Sequence, residues 1–287
     1  MKDAPLLKVE DLHVRFDTPK GVVEAVRGVS FELGREKLGI VGESGSGKSQ
    51  TGRAILGLLA PSGQARARCV EFDGIDLLHA DERRMRKIRG NRISMIMQDP
   101  KYSLNPVMTV GKQIEEAYLV HTQASHKEAR ERTLEMLKAV RIRNPQRVYH
   151  AYPHEVSGGM GQRIMIAMMM IPQPDIIIAD EPTSALDVTV QLQVLAILDD
   201  MVTEHGMGLI FISHDLNLVA SFCDRVLIMY GGQVMEVRDA DDLPNAEHPY
   251  TRGLLSCLPQ VGDSSELPVL TRDEAWSEYQ EYRRDRR

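Results

Sequence analysis

The chain is poor in the features that would place it outside a cell or across a membrane. Its 287 residues hold only three cysteines. Cys69, Cys223 and Cys257 are scattered, with no C-x-x-C pair and no even-numbered set. They read as reduced thiols, which excludes a disulfide framework or a cysteine metal site. The longest uninterrupted apolar run is Ile164 to Ile171, far short of the roughly 20 residues that a membrane span requires. Met1-Lys2-Asp3-Ala4-Pro5 has nothing of a signal peptide, so the chain is expected in the cytosol. Excess positive charge is missing as well: the formal net charge is −6, which argues against nucleic acid as a partner. No internal repeat and no low-complexity segment stands out. With 43 % hydrophobic and 26 % charged residues, the composition is that of an ordinary folded chain. Its length suits one large or two modest domains.

What is present is concentrated first at Gly42-Glu43-Ser44-Gly45-Ser46-Gly47-Lys48-Ser49. This stretch fits G-x-x-x-x-G-K-[ST], the phosphate-cradling loop of P-loop nucleotidases. A strand candidate, Leu38 to Val41, runs into it, and a helix candidate, Gln50 to Leu59, runs out. Glycines let the backbone fold around phosphate oxygens without Cβ clashes. Loop N–H groups and the positive end of the following helix then face the phosphates. Lys48 supplies positive charge to the β- and γ-phosphates, and the Ser49 hydroxyl can ligate Mg²⁺. The chain is therefore expected to bind a nucleoside triphosphate through Gly42 to Gln50.

The flanking pattern sets the fold class. Leu7 to Phe16, Val22 to Val26, Val29 to Leu33 and Val70 to Phe72 read as short antiparallel strands, with a turn at Thr18-Pro19-Lys20-Gly21. Asp81 to Arg89 is a charged helix, and Ile93 to Met97 a buried strand ending at Gln98. From Asp99 to about Met170 the periodicity is helical, with a capping box at Ser125-His126-Lys127-Glu128. The methionines of Gly158 to Ile171 sit at core spacing. Strand–helix alternation then resumes from Asp175 to Tyr230, as in a parallel sheet covered by helices on both faces. The charged stretch Leu267 to Arg287 reads as a solvated tail or terminal helix.

Ile176 to Ala179 delivers Asp180 and Glu181 at a strand's C-terminal end, where α/β sheets bind ligands. In a P-loop nucleotidase the first carboxylate, Asp180, holds Mg²⁺ through water. The second, Glu181, is placed to act as general base toward the attacking water. Before them, Glu155-Val156-Ser157-Gly158-Gly159-Met160 with Gln162-Arg163 resembles the signature sequence of ATP-binding cassette (ABC) ATPases. Other pieces follow in that family's order. Phe16 stands where the family stacks an aromatic ring on adenine, and Gln98 where it has the Q-loop glutamine, which touches both metal and reaction centre. Ser184-Ala185-Leu186-Asp187 resembles the D-loop, with Asp187 toward nucleotide, and Ser213-His214-Asp215 the switch histidine. The resemblance runs from residue 5 to about 260. It narrows to ATPase subunits of dipeptide, oligopeptide and nickel importers through Met97-Gln98-Asp99-Pro100, Ser103-Leu104-Asn105-Pro106 and His248-Pro249-Tyr250-Thr251-Arg252-Gly253-Leu254-Leu255.

That resemblance implies one ABC ATPase domain over 1–265. It would have a RecA-like α/β core, an N-terminal antiparallel β-subdomain and a helical subdomain over about 99–170, followed by a charged tail over 266–287. It implies a second ATPase subunit, a paralogue, arranged head to tail so that Ser157, Gly158 and Gly159 meet the γ-phosphate held by the partner. It also implies two transmembrane permeases contacted through Gln98 to Val110, an extracytoplasmic solute-binding protein, and a peripheral place on the cytoplasmic face of the membrane. The helical insertion is too short for the coiled coil of chromosome-associated ABC ATPases, and one P-loop does not fit the two-cassette translation factors. An exporter or a non-transport ATPase stays open, as do peptide, nickel, sugar or opine as solute. Two departures stand out. Gly161 replaces a residue that is larger, and often basic, in the family. Only Cys257 follows the His-Pro-Tyr-Thr stretch, where many relatives carry a cysteine cluster, so no iron–sulfur cluster is expected. Anaerobically purified protein should accordingly be colourless and free of stoichiometric iron. A brown, iron-containing preparation would contradict this.

Overall fold

The computed structural model describes residues 4–184 and 186–257; the tail expected over 266–287 lies outside them. β1 (Leu7–Thr18) and β2 (Gly21–Leu33) form an antiparallel hairpin turned at Pro19-Lys20. Val22 to Val26 and Val29 to Leu33, expected as separate strands, are one long strand. Register shifts on either side of Leu12 and between Val14 and Arg15 absorb the interruption as bulges. The chain then enters a second sheet with β3 (Lys37–Gly42), which feeds α1 (Lys48–Ile55). That helix starts two residues before the stretch expected from periodicity, because the loop lysine is already its first residue. β4 (Gly63–Arg66), β5 (Cys69–Phe72) and β6 (Ile75–Asp76) return to the first sheet, ordered β2-β1-β5-β6 with β4 also paired to β1. α2 (Glu82–Ile88) is capped by Asp81, whose carboxylate accepts the Arg84 N–H at 2.7 Å. It leads to β7 (Ile93–Ile96).

Next come five helices in succession: α3 (Pro100–Ser103), α4 (Val110–Leu119), α5 (His126–Ala139), α6 (Pro145–His150) and α7 (Gly158–Met170). The capping box read at the start of α5 is half formed. Ser125 Oγ accepts the Glu128 N–H at 3.2 Å, while the Glu128 carboxylate turns to the Tyr118 hydroxyl at 3.4 Å. Strand and helix then alternate through β8 (Ile176–Asp180), α8 (Val188–His205), β9 (Gly208–Ser213), α9 (Leu216–Phe222), β10 (Arg225–Tyr230), β11 (Gln233–Asp239) and α10 (Pro249–Ser256). The second sheet runs β11-β10-β3-β9-β8-β7 and is parallel except for β11. Neither β11 nor α10 was legible in advance. β11 is a half-buried edge strand without clean alternation, and α10 is capped by the His248 imidazole, which accepts the Tyr250 N–H at 3.1 Å.

The central strands read as unbroken apolar runs because both faces are covered. Along β8, Ile176 and Ile178 face the core shared with the antiparallel sheet, and Ile177 and Ala179 the core shared with the helices. β9 divides the same way, with Ile210 and Ile212 against Leu209 and Phe211. Each strand thus ties the two cores together. The closest approach is at Gly39 of β3, where a Cβ would lie 2.1 Å from Val219 Cγ1 of α9. Gly39→Ala should therefore destabilise the fold by about 1–3 kcal/mol through overpacking, read as a lower urea midpoint. An unchanged midpoint would mean that α9 can move away at no cost.

Candidate nucleotide-binding and catalytic site

The P-loop is shaped by contacts that only glycine tolerates. A Cβ at Gly42 would meet the Met229 carbonyl of β10 at 2.1 Å, and one at Gly47 the Ala25 carbonyl at 2.3 Å. Ala25 is the residue left over where β1 and β2 shift register between Val14 and Arg15. That bulge turns its carbonyl onto the loop, as bulges beside binding sites often do. Gly47 is left-handed at φ 97°, which only a glycine adopts without strain. Gly45 is left-handed too, but a Cβ there would meet nothing within 4 Å. Glu43, Ser44 and Gly45 form an exposed rim, while Ser46, Gly47 and Lys48 are buried. The loop is closed by Ser46 N–H donating to the Glu43 carbonyl (3.2 Å) and Gly232 N–H to the Ser46 carbonyl (3.1 Å).

Lys48 donates from Nζ to the carbonyls of Gly42 (2.7 Å) and Glu43 (2.8 Å). Its burial lowers the ammonium pKa, against the opposing pull of Glu181, Asp180 and Glu43. Ser49 donates from Oγ to Asp180 Oδ1 at 2.6 Å, across a separation of 131 residues. Asp180 is only 3 % exposed, and burial raises its pKa although Ser49, Arg53 and Lys48 all oppose the shift. A hydroxyl and a buried carboxylate in contact beside a phosphate loop are a hard-oxygen pair of the kind Mg²⁺ uses. Gln50 follows on α1 with its Oε1 buried and without a hydrogen-bond partner in the structure.

Glu181 leaves β8 in a left-handed conformation, φ 48°, uncommon for a residue with a Cβ. Its carboxylate receives Gln98 Nε2 on one oxygen at 3.0 Å and lies 3.4 Å from His214 Nδ1 on the other. Gln98, Glu181 and His214 thus converge from the ends of three strands. Two participants escaped the reading of the sequence. Ser184 Oγ accepts from Gln98 Nε2 at 3.3 Å and donates to the Glu181 carbonyl at 3.2 Å. Arg53 acts on Asp180 electrostatically. The available signals were Ser184 three residues beyond Glu181, and Arg53 four beyond Ser49, hence on the same helical face.

Phe16 sits on β1, half-buried and packed against Gly63; its strand partner is Val23, two residues along β2 from Ala25. At about 3.3 Å per residue, this puts the ring near the wall of the P-loop. The remaining expected residues stand apart. Ser157 caps α7 by accepting the Met160 N–H at 3.4 Å, and Asp187 caps α8 by accepting the Val190 N–H at 3.0 Å. A Cβ on Gly159 would strike Val190 Cγ1 at 2.6 Å, so α7 and the start of α8 are pressed together. Gly158 faces open space, and Gly161 has room for a Cβ, with Pro100 Cγ at 3.6 Å. Ser157 and Gly158 share with Gln98 a cavity of about 240 Å³. The hydrogen bonds of Ser157 and Gly159 stay local to α7.

A phosphate loop leading into a helix, two carboxylates closing a parallel strand, and a capped Ser-Gly-Gly helix set beside them define a P-loop ATPase of the cassette type. The comparisons agree. The family described as ABC transporter matches residues 26–184. The chain is 49 % identical over 271 residues to a probable peptide ABC transporter ATP-binding protein of Sinorhizobium fredii, covering 92 % of this chain and 81 % of that one. It is 47 % identical over 263 residues to the oligopeptide transport ATP-binding protein OppD of Escherichia coli, covering 91 % and 78 %. Among solved structures, the dimeric post-hydrolysis state of the ATP-binding cassette MJ0796 bound to ADP and Pi superposes with TM-score 0.72 at 27 % identity, over 82 % of this chain and 98 % of that one. The protein belongs to the ABC transporter family, and it binds and hydrolyses ATP.

The buried carboxylate has a measurable consequence. Because the folded pKa of Asp180 lies above its ordinary value of 3.8, the native state binds the proton more tightly than the unfolded chain. Stability is therefore lost as pH rises through that window. Asp180→Asn should raise the urea midpoint at pH 7 in metal-free buffer, the gain shrinking as pH falls towards 3.8. A lower midpoint at pH 7 would show that the charge is compensated where it stands.

Proposed function

We propose that this chain is the ATP-hydrolysing subunit of an importer for peptides or a similar small solute, working as a head-to-tail pair beneath two permeases. The observation that carries the catalytic part is the convergence of Gln98, His214 and Ser184 on Glu181, beside the Ser49–Asp180 pair. Gly42 to Gln50 bind the triphosphate, and Phe16 supports the adenine. Ser49 and Asp180, with Gln98 nearby, are the donors for Mg²⁺, which when bound neutralises charge on the phosphates. Glu181 takes the proton of the attacking water while Gln98 and His214 orient its carboxylate.

Ser157, Gly158 and Gly159, together with Asp187, serve the nucleotide on the second subunit. In support, α7 offers its N-terminus outward, and an N-terminus of that kind suits a phosphate. The chain works as one cassette over 1–265, with 99–170 as its helical subdomain. Among the described residues no helix is long and apolar enough to cross a membrane, so passage of solute falls to the permeases. Their contact is the groove of about 390 Å³ that includes Ser103, Asn105, Met108, Val120 and Met168. Val107 and Val120 stand 79 % and 69 % exposed there. This makes the chain peripheral, on the cytoplasmic face, with a solute-binding protein on the other side and no iron–sulfur cluster. The names of the relatives support peptide as the solute class.

The test is an assembled complex in which the two ATPases differ in mass. Glu181→Gln should keep ATP binding and lower turnover by about 10²–10⁴-fold. Gly159→Asp should spare azido-ATP labelling of this chain and abolish turnover on its partner, since a carboxylate beside phosphate repels it. Loss of labelling on this chain alone would mean that the signature acts in cis. Failure of the chain to co-purify with two permeases would remove the transport reading.

A further inference from the structure

Away from the catalytic carboxylates, the chain holds a cavity of about 580 Å³ between the α5–α6 connection, α6, the start of α7 and α8. Its charge runs against that of the whole chain, which is −6. Arg141, Arg143, Arg147, His150 and Arg163 line it, and Glu155 is its one carboxylate. Glu155 Oε2 already accepts the Tyr152 N–H at 2.8 Å, closing the turn before α7. Arg141 is paired with Asp200 at 2.6 Å outside the cavity. Its backbone is left-handed, φ 59°, and its carbonyl takes Arg163 Nη1 at 3.0 Å. Arg163 Nε donates to the Gly159 carbonyl at 3.2 Å. This guanidinium is therefore held in place by backbone carbonyls, with no carboxylate bound to it.

Arg143 and Arg147 likewise form no ion pair among the described residues. Arg143 lies close enough to depress the Arg163 pKa, an effect added to that of burial. Like charges gathered in a concavity and left without counter-charge raise the free energy of the protein unless an anion joins them. Their number and fork geometry match phosphate oxygens rather than a single carboxylate. The volume falls in the range of small-molecule sites.

We propose that this arginine cavity is a second anion site, separate from the P-loop, that takes a small phosphorylated ligand carrying two or more negative charges. Arg163 is the fixed donor, Arg143 and Arg147 close on the ligand from the connection and from α6, and His150 adds charge as pH falls. Ser157 lines the same cavity, so occupancy is felt at the signature. Two sources share this chemistry: a free phosphoanion, or phosphates of the nucleotide held by the second subunit.

The experiment uses the full chain carrying Lys48→Ala, which disables the P-loop, titrated calorimetrically with inorganic triphosphate at fixed ionic strength. One-to-one binding is expected, weakened about tenfold or more by Arg143→Ala with Arg147→Ala, since each charge-assisted contact contributes about 1.5–3 kcal/mol. Both side chains are exposed, so the melting temperature should hold. Arg83→Ala with Arg84→Ala on α2 is the control and should leave binding unchanged. That result assigns the site to a free phosphoanion. If the single chain does not bind, the same arginine pair should raise KM for ATP in the assembled complex while kcat holds, which assigns the cavity to the partner's nucleotide. Triphosphate binding indifferent to Arg143 and Arg147, or no binding together with an unchanged KM, overturns the proposal. So does displacement of triphosphate by an acidic peptide but not by phosphate compounds, which would make the cavity a protein-docking surface.

Discussion

The site depends on strands that end level. β10, β3, β9 and β8 pair in parallel, so that Gly42 lies beside Met229, Val41 beside Ser213 and Ile212 beside Asp180. Residues remote along the chain thereby emerge at one edge of one sheet. Ser49 and Asp180 touch for this reason, and so do His214 and Glu181. A parallel register is rigid where both faces are buried, because a slip of one residue would exchange the two apolar cores. Rigidity in the sheet becomes positional accuracy in the site, at strand ends where no side chain has to be packed.

Electrostatics at that edge is costly by construction. Burial works against the charged forms of both Lys48 and Asp180. What keeps them tolerable is local: two carbonyls of the loop for the ammonium, and a serine hydroxyl with nearby cations for the carboxylate. Such groups are poised for a highly charged substrate, since their preorganisation is already built into the fold. The antiparallel sheet takes part as well. Its bulge at Ala25 supplies the carbonyl that closes on Gly47, which explains how a sheet remote from the carboxylates constrains the phosphate loop. At the far edge, Glu236 of β11 accepts the N–H groups of Glu247 (2.9 Å) and His248 (3.1 Å) and binds Arg238 at 2.8 Å. The His-Pro-Tyr-Thr stretch is thus fastened to the catalytic sheet.

The phosphate loop, the two carboxylates and the strand order around them are local patterns. Gly42 to Ser49 follow an apolar strand, Asp180 and Glu181 close another, and their meaning lies in spacings of a few residues. Strands buried on both faces announce themselves by unbroken isoleucine and valine, and helices by period and caps such as Asp81 and Asp187. For these elements the amino-acid sequence by itself determined the fold class and the candidate residues. Contacts between distant segments were beyond it. That Ala25 faces Gly47, that Ser184 joins Gln98 to Glu181, and that Arg143, Arg147 and Arg163 converge with no carboxylate to meet them were decided only in the tertiary structure. So were β11 and α10, whose half-buried faces leave no periodic trace. The physical reason is common to all of them: each depends on a backbone carbonyl, a bulge or a neighbouring surface that no local pattern of side chains encodes.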